Sequence, residues 1–187
     1  MAAFIATIAL LSACASKPTI GFESNQEANY SGFKTYALLP LPQRVEGADP
    51  GTALRVATPL SSEIKTGMSN KGYREAPPEQ ADIVLNIRGK VVGKTDVTDW
   101  GYSYAGYGRW GGYYDPYGGV SVDQYNEGTL SVEAFNRQTK QLVWVGWARG
   151  RMEETPDETR FRATVAEIVS RFPPAGTAPA KTAPPKK

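Results

Sequence analysis

Residues 128–151 read GTLSVEAFNRQTKQLVWVGWARGR, and this stretch decides the fold. Apolar and polar side chains alternate in residues 128–135, and residues 141–151 form a second extended segment that carries large apolar groups on both sides. A period of two is typical of β-strands, and the polar residues 136–140 between the segments have the length of a hairpin connection. The stretch therefore predicts two adjacent antiparallel strands, the second of them at least partly covered on both faces.

Three further strands are predicted upstream of this hairpin. Residues 81–92 (ADIVLNIRGKVV) alternate strictly, with the apolar side chains on one face and the polar ones on the other. Residues 33–39 form a shorter apolar segment that ends before a proline, and residues 19–24 alternate over a short length. The sequence therefore predicts five strands in all.

Two amphipathic helices complete the pattern. Thr58 is predicted to cap the first helix with Pro59 at its first position, and a turn over residues 53–57 could join it through a kink at Pro59. The sequence Thr155-Pro156-Asp157-Glu158 is a capping box that starts the second helix. Their apolar stripes consist of Leu60, Ile64 and Met68 in the first helix and Phe161, Val165, Ile168, Val169 and Phe172 in the second.

These elements predict an α+β fold with a four- to five-stranded, mainly antiparallel sheet and two helices on one face. Their order is strand-strand-helix-strand-strand-strand-helix. The chain has 187 residues, which is enough for one domain with its own core, and we assign that domain to residues 19–174. Residues 175–187 are rich in Pro, Ala and Lys and are expected to form a disordered cationic tail.

The N-terminus contains an apolar run, residues 4–11, that is too short to span a bilayer as a helix but has the length of a signal-peptide core. It leads into Leu11-Ser12-Ala13-Cys14, which is a lipobox pattern. We expect cleavage between Ala13 and Cys14 and lipid attachment to Cys14, so that residues 1–13 are a lipoprotein signal peptide and residues 14–18 a lipidated tether. The alternative is a buried cysteine in an apolar helix, and the positive charge usual at the start of signal peptides is missing from Met1-Ala2-Ala3.

The residue after the lipobox cysteine predicts where such an anchored chain would reside. Asp at that position favours retention in the inner membrane, and this chain has Ala15 there. We therefore expect a cell-envelope protein that is lipid-anchored in the outer membrane and faces the periplasm.

An insertion rich in Gly, Tyr and Trp occupies residues 99–125 and holds seven of the ten Tyr and two of the four Trp. It lies between two predicted strands and is expected to be a long hairpin loop. Three interpretations are open: a self-packed cover for a sheet face, a surface for glycan or partner binding, and a self-association surface. The candidate binding surface consists of Trp100, Tyr102, Tyr104, Tyr107, Trp110, Tyr113, Tyr114 and Tyr117.

The order of several short motifs resembles the bacterial envelope lipoprotein family known as domain of unknown function 4136. The resemblance runs from about residue 19 to residue 174 and implies a small envelope lipoprotein with an α+β domain. It implies no activity, because the family has no assigned catalytic residues. The motifs are Phe33-Lys34-Thr35-Tyr36-Ala37, Lys71-Gly72-Tyr73, Ala81-Asp82-Ile83, Glu127-Gly128-Thr129-Leu130, Leu142-Val143-Trp144-Val145-Gly146 and Phe172-Pro173-Pro174.

Composition narrows the chemistry that the chain could perform. It has no His and a single Cys, which leaves no His ligands or His-based catalytic triads, so we expect no catalytic residues, no metal and no cofactor. The alternative is a glycan-active enzyme that uses paired carboxylates. Its candidate residues are the acids around the insertion, which are Asp96, Asp99, Asp115 and Asp123.

The expected function is therefore binding or structural support in the envelope, without enzymatic activity. The membrane is the expected partner through lipid on Cys14, with peptidoglycan or another envelope protein as candidate partners of the insertion. A net charge of +2 lacks the basic character of a nucleic-acid-binding protein, so no nucleic acid is expected.

Overall fold

The computed structural model describes residues 17–99, 120–152 and 157–177. Along the chain, a short 3-10 turn separates the first two strands, one helix precedes the three long strands and a second helix follows them. They are β1 (Thr19–Ser24), the turn (Tyr30–Gly32), β2 (Thr35–Leu38), α1 (Thr52–Asn70), β3 (Arg74–Glu75), β4 (Ile83–Asp99), β5 (Val120–Asn136), β6 (Leu142–Arg151) and α2 (Glu158–Ser170).

The strands form one mixed sheet in the order β1-β6-β5-β4-β2-β3. The pairs β1–β6, β6–β5 and β5–β4 are antiparallel, whereas β2 runs parallel to both β4 and β3. The predicted α+β class with a mainly antiparallel sheet is confirmed, and the predicted count of four to five strands is corrected to six. The missing strand is β3, whose two exposed residues are too few to show any alternation.

The first helix begins earlier than predicted, at Thr52, and includes Pro59. Thr58 is therefore not its N-cap, and the turn predicted over residues 53–57 is part of the helix. Asp49 fixes this start, because its carboxylate accepts hydrogen bonds from the Gly51 amide at 2.9 Å and from the Thr52 hydroxyl at 2.7 Å. The contacts of Asp49 hold the first turn in place although Pro59 removes one hydrogen bond from the helix.

The second helix starts two residues later than the capping box predicts. Asp157 is the N-cap, and its Oδ1 atom accepts hydrogen bonds from the amides of Thr159 at 2.8 Å and Arg160 at 3.3 Å. The predicted cap residues Thr155 and Pro156 lie outside the described residues. The acidic first turn at Glu158 is present and complements the positive end of the helix dipole.

Both helices pack on the same face of the sheet, as predicted. Their stripes are buried against β4, β5 and β6, with Phe161 half-buried at the edge and Phe172 buried just after the helix ends. The core side chains include Leu60, Ile64 and Met68 from α1, Val165, Ile168 and Val169 from α2, and Leu85, Val132 and Trp144 from the sheet.

Three aromatic rings form the centre of this core. The ring of Phe172 meets Trp144 edge-on with centroids 4.9 Å apart, and it meets Tyr73 in the same way at 5.5 Å. Gly146 is required beside them, because a Cβ atom there would overlap the Trp144 indole and approach a methyl group of Ile168 to 2.9 Å. The core is therefore closely packed at the end of the sheet where β6 begins.

Candidate functional site

The longest hairpin of the sheet extends past its neighbours as a two-stranded ribbon. Strands β4 and β5 stay paired from Ile83 and Asn136 as far as Asp99 and Val120. Strand β6 accompanies β5 only as far as the pair of Glu127 with Arg151. In the described part of the chain, residues 93–99 and 120–126 thus continue without a third strand, over roughly 20 Å at about 3.3 Å per residue.

The ribbon explains why the strands were predicted to be shorter than they are. Prediction ended one strand at residue 92 and began the next at residue 128, whereas the strands reach residues 99 and 120. Residues 92–96 and 123–124 are exposed, so this part of the ribbon has no buried apolar face that would indicate a strand. The expectation of a hairpin around the insertion is confirmed by the antiparallel pairing of β4 and β5, but the predicted loop bounds of 99–125 were wrong, because residue 99 and residues 120–125 belong to the strands.

Most of the predicted site residues lie outside the described residues. These are Ala13 and Cys14, with the signal peptide and most of the tether, the tail beyond residue 177, and the aromatic set itself. The two ends of the ribbon at Asp99 and Val120 border the segment 100–119, so this segment is attached at the tip. The aromatic set consists of Trp100, Tyr102, Tyr104, Tyr107, Trp110, Tyr113, Tyr114 and Tyr117.

The structure brings two of the four candidate acids together. Asp96 and Asp123 are directly opposite each other in the β4–β5 register, and both are exposed. Asp115 lies outside the described residues, as does the side chain of Asp99. A general acid for glycan cleavage normally needs a partly buried carboxyl group with a raised pKa, and the described surroundings of this pair are open to solvent.

A cavity that was not predicted from the sequence lies on the side of the sheet that the helices cover. It has a volume of about 220 Å³ and opens between the helix-facing side of the sheet and the N-terminal turns of both helices. Val56 and Thr164 are on its helical walls, and Leu130 and Ala148 are on its floor. Most of its lining is apolar.

Glycines on neighbouring strands create this cavity. Gly128 is the direct partner of Gly150, and the next helix-facing pair on β4 and β5 is Gly89 with Leu130. Opposite residues of antiparallel strands point to the same face, so Gly89, Gly128 and Gly150 leave gaps in the floor beside the side chain of Leu130. The only signal in the sequence was the presence of glycine at core-facing positions of alternating strands, and it becomes informative only when the register is known.

Charged groups surround the mouth of the cavity. Among the described residues, its charged lining side chains are those of Lys90, Arg151, Asp157 and Arg160. The carboxylate of Asp157 is engaged as the cap of α2. Lys90 forms an ion pair with Glu46 at 2.7 Å, and the guanidinium of Arg151 lies 4.2 Å from the ring centre of Tyr125. In the described part of the lining, cationic side chains thus outnumber acidic ones beside a mainly apolar floor.

The buried tyrosines of the core have a structural role. Burial raises the pKa of Tyr30 to about 12, and burial together with the charge of Glu75 raises the pKa of Tyr36 to about 12. Burial is also the main cause of the raised pKa of Tyr73. All three hydroxyls are protonated at neutral pH, and that of Tyr30 donates a hydrogen bond to the Val143 carbonyl, which joins the 3-10 turn to β6.

The described residues were also examined for clusters of metal ligands and for helices that could span a membrane. In residues 17–99, 120–152 and 157–177, no three His, Cys, Asp or Glu side chains come close enough to hold a metal ion. Neither helix in the described part of the chain is long and apolar enough to cross a bilayer.

Comparison with known protein families identifies the family of this chain. Residues 22–174 match the family described as Domain of unknown function (DUF4136). The chain belongs to this family. The resemblance inferred from the order of short motifs is therefore confirmed, and DUF4136 spans all the described strands except the start of β1, together with both helices. No curated protein matches the chain.

Several solved structures align with the chain at low sequence identity. A PDZ domain protein from Parabacteroides distasonis aligns with a TM-score of 0.53 at 9% identity, over 87% of this chain and 38% of that one, so this chain spans well under half of its length. A PelC dodecamer from Paraburkholderia phytofirmans aligns with a TM-score of 0.43 at 14% identity, over 82% and 95% of the chains. A DUF4136 family protein from Bacteroides thetaiotaomicron gives 0.42 at 19%, over 83% and 93%.

Proposed function

We propose that this DUF4136 chain is a lipid-anchored, non-enzymatic binding module of the bacterial envelope that faces the periplasm. Its contact surface is the aromatic segment 100–117. The observation that carries the proposal is the β4–β5 ribbon, which holds both ends of this segment roughly 20 Å beyond the three-stranded part of the sheet. A segment attached at such a position can meet a partner without disturbing the core.

The proposed anchor fits the start of the folded domain. The first strand begins at Thr19, five residues after Cys14, so the chain between them spans at most about 18 Å. A lipid on Cys14 would thus hold the domain close to the membrane, and the ribbon would extend the reach of the aromatic segment. Two or three acyl chains on one cysteine are sufficient for stable anchoring.

The absence of enzymatic activity is part of the proposal and is supported by composition. The chain contains no His, and Cys14 is committed to the anchor. The remaining candidate pair, Asp96 and Asp123, lies on the exposed ribbon. A contact surface of Tyr and Trp needs no catalytic acid, base or nucleophile. These side chains supply large contact areas at low cost in conformational entropy.

We expect deletion of residues 100–117 to abolish binding and to leave the fold intact. The deletion leaves Gly118-Gly119 between the paired residues Asp99 and Val120, which is a two-residue hairpin turn suited to positive φ angles. Retention on isolated peptidoglycan, and cross-linking to envelope proteins in intact cells, should both be lost. The thermal unfolding midpoint should change by less than about 4 °C, because the deletion removes none of the buried side chains of the described core.

A length-matched variant separates aromatic contact from the mere presence of the loop. In it, the eight Trp and Tyr residues of the segment are replaced by Ser, and the same loss of retention and cross-linking is expected. If both variants bind peptidoglycan and envelope proteins as the unaltered chain does, the aromatic segment is not the contact surface.

Lipid attachment is tested separately from binding. Cells that express the full chain and are fed an alkyne-tagged fatty acid should label the unaltered chain, whereas the Cys14→Ala chain should stay unlabelled and unprocessed at residue 13. The fraction of the chain that sediments with membranes should fall in parallel, since the anchor is lost. Equal labelling of both chains would contradict the assignment of Cys14.

A further inference from the structure

Strand β1 forms one edge of the sheet, and no strand of the described residues pairs with its outer side. The amide of Asn25 donates a hydrogen bond of 2.8 Å to the carbonyl of Val143, which continues the β1–β6 register by one pair. In an antiparallel pair, residues bonded to the neighbouring strand alternate with residues whose amides and carbonyls face away from it. The backbone groups of Ile20 and Phe22 therefore face outward, and such an edge can pair with another chain.

An apolar side chain lies over this edge, on the face of the sheet that the helices leave uncovered. Trp147 is the direct partner of Gly21, and a Cβ atom on that glycine would be only 2.5 Å from the indole. The indole thus extends over the outermost strand, and Trp147 is only half-buried. A large aromatic ring in this position is suited to contact with a second aromatic ring across the edge.

We propose that β1 is a self-association edge, at which a second copy of the chain pairs antiparallel about a two-fold axis through Gly21. In this register Ile20 is opposite Phe22 of the second copy, and the outward amides and carbonyls of both residues bond each other. The two Gly21 residues form the adjacent pair without hydrogen bonds, with Cα atoms about 4.5 Å apart. Each Trp147 indole lies over its own glycine, so the two rings come into contact above the pair. The edge goes beyond the contact function proposed for the ribbon and uses different residues.

Charged side chains on the same face complement each other in this register. Thr19 and Glu23 are exposed, and Thr19 of one copy lies opposite Glu23 of the other. Arg149 is the direct partner of Thr19 on β6, where its side chain is 59% exposed and its Nε atom lies 3.9 Å from Glu127. The long arginine side chain can cross Thr19 and reach Glu23 of the second copy, and the two-fold axis gives this pairing twice. Charge complementarity therefore favours a second copy as the occupant of the edge.

One neighbouring register also bonds outward residues to each other, and it is centred on Phe22. That register would place Glu23 opposite Gly21 of the second copy, where the Trp147 indole occupies the space above the glycine. The carboxylate would then be covered by an apolar ring, which costs desolvation free energy without a compensating partner. The axis through Gly21 avoids this contact and is therefore the favoured one.

Cysteine cross-linking tests the register in the full chain, with Cys14→Ser in every sample. Cys14 is the single cysteine, so only introduced thiols are present and the outcome does not depend on the proposed anchor. A mixture of a Thr19→Cys chain with a Glu23→Cys chain should form disulfide-linked dimers, because opposite Cα atoms lie within disulfide range. Each chain alone should cross-link about tenfold less, since its two cysteines would be four residues apart along the edge, or about 13 Å.

The matched control is a mixture of Leu54→Cys and Thr58→Cys chains, which carry exposed cysteines at the same sequence spacing on α1. This mixture should cross-link no more than either of its chains alone, because only collision brings these positions together. If the mixture of Thr19→Cys and Glu23→Cys chains cross-links no more than its single chains or this control, β1 does not pair with a second copy in the proposed register.

Sedimentation equilibrium measures the association without any cross-link. Trp147→Ala should raise the dimer dissociation constant about tenfold or more, because both indoles leave the centre of the interface at once. Leu54→Ala removes a side chain that is 81% exposed on α1 and should leave the constant unchanged. Thermal unfolding identifies any variant that fails to fold, and the cross-linking result then decides. A parent chain that stays monomeric, or equal dimerisation of the Trp147→Ala and Leu54→Ala chains, would overturn the proposal.

Discussion

Replacing Trp144 by Ala is expected to lower the free energy of unfolding by about 3–5 kcal/mol, which is the usual range for removing a buried indole. The side chain of Trp144 is 1% exposed and packs edge-on against Phe172. Its loss would leave a void between α2 and the sheet that neighbouring side chains cannot fill. Urea unfolding followed by circular dichroism measures the change, since a two-state domain of this size has a single transition.

The matched control for this variant is Trp147→Ala on the same strand. Trp147 lies on the face of the sheet that the helices do not cover, over Gly21 of β1, and it is only half-buried. Its removal should cost about 1–2 kcal/mol, because less apolar surface leaves the interior. If the two alanine variants lose the same stability, the Trp144 cluster is not the centre of the core.

The alternation of the central strands made this part of the fold predictable. Residues 81–92 and 128–135 have one apolar face each, and a strand with one buried face keeps the period of two. The hairpin turn was equally clear, because residues 136–140 are polar. In the structure Lys140 adopts a positive φ of 59° in this turn. Local patterns therefore identified the antiparallel half of the sheet.

The parallel half of the sheet could not be predicted from local patterns. Strand β3 has only two residues, and β2 is held between β3 and β4 by pairings across α1. A capping signal at Thr58 also competed with the true helix start, which depends on the hydrogen bonds of Asp49 to Gly51 and Thr52. Such contacts follow from the tertiary fold and have no periodic signature.

Of the two candidate sites, one could be recognised from the sequence and the other depends on tertiary contacts. The aromatic segment was apparent from composition alone, although its attachment to a ribbon depends on the β4–β5 register as far as Asp99 and Val120. The cavity had no compositional signal, because Gly128 and Gly150 are far apart in the sequence and become neighbours only through the β5–β6 pairing. A cavity of this kind requires the register of three strands before it can be recognised.

Asp82 carries the second large expected effect, because one carboxylate oxygen joins β2 to the start of β4. Its Oδ2 atom accepts hydrogen bonds from the amides of Lys34 and Thr35, both at 2.9 Å, and from the Thr35 hydroxyl at 2.8 Å. Asp82→Ala should lower the free energy of unfolding by about 2–3 kcal/mol at pH 7, since these donors lose a charged acceptor. The measurement is again the urea midpoint, with the exposed Asp123→Ala as the matched control, for which a change within about 0.5 kcal/mol is expected.

The pH dependence of this effect follows from the pKa of Asp82. Burial of the carboxylate acts to raise the pKa, but the hydrogen bonds from Lys34 and Thr35 outweigh it, and the pKa lies below its ordinary value of 3.8. The unfolded chain therefore binds a proton at Asp82 more readily than the folded chain does, so this contribution to stability is complete well above pH 3.8 and is lost as the pH falls through the folded-state pKa. The stability difference between the unaltered chain and Asp82→Ala should accordingly be constant from about pH 8 to pH 6 and shrink in acid. A difference that stays the same down to pH 3 would mean that the hydrogen bonds to Asp82 stabilise the fold without regard to its charge.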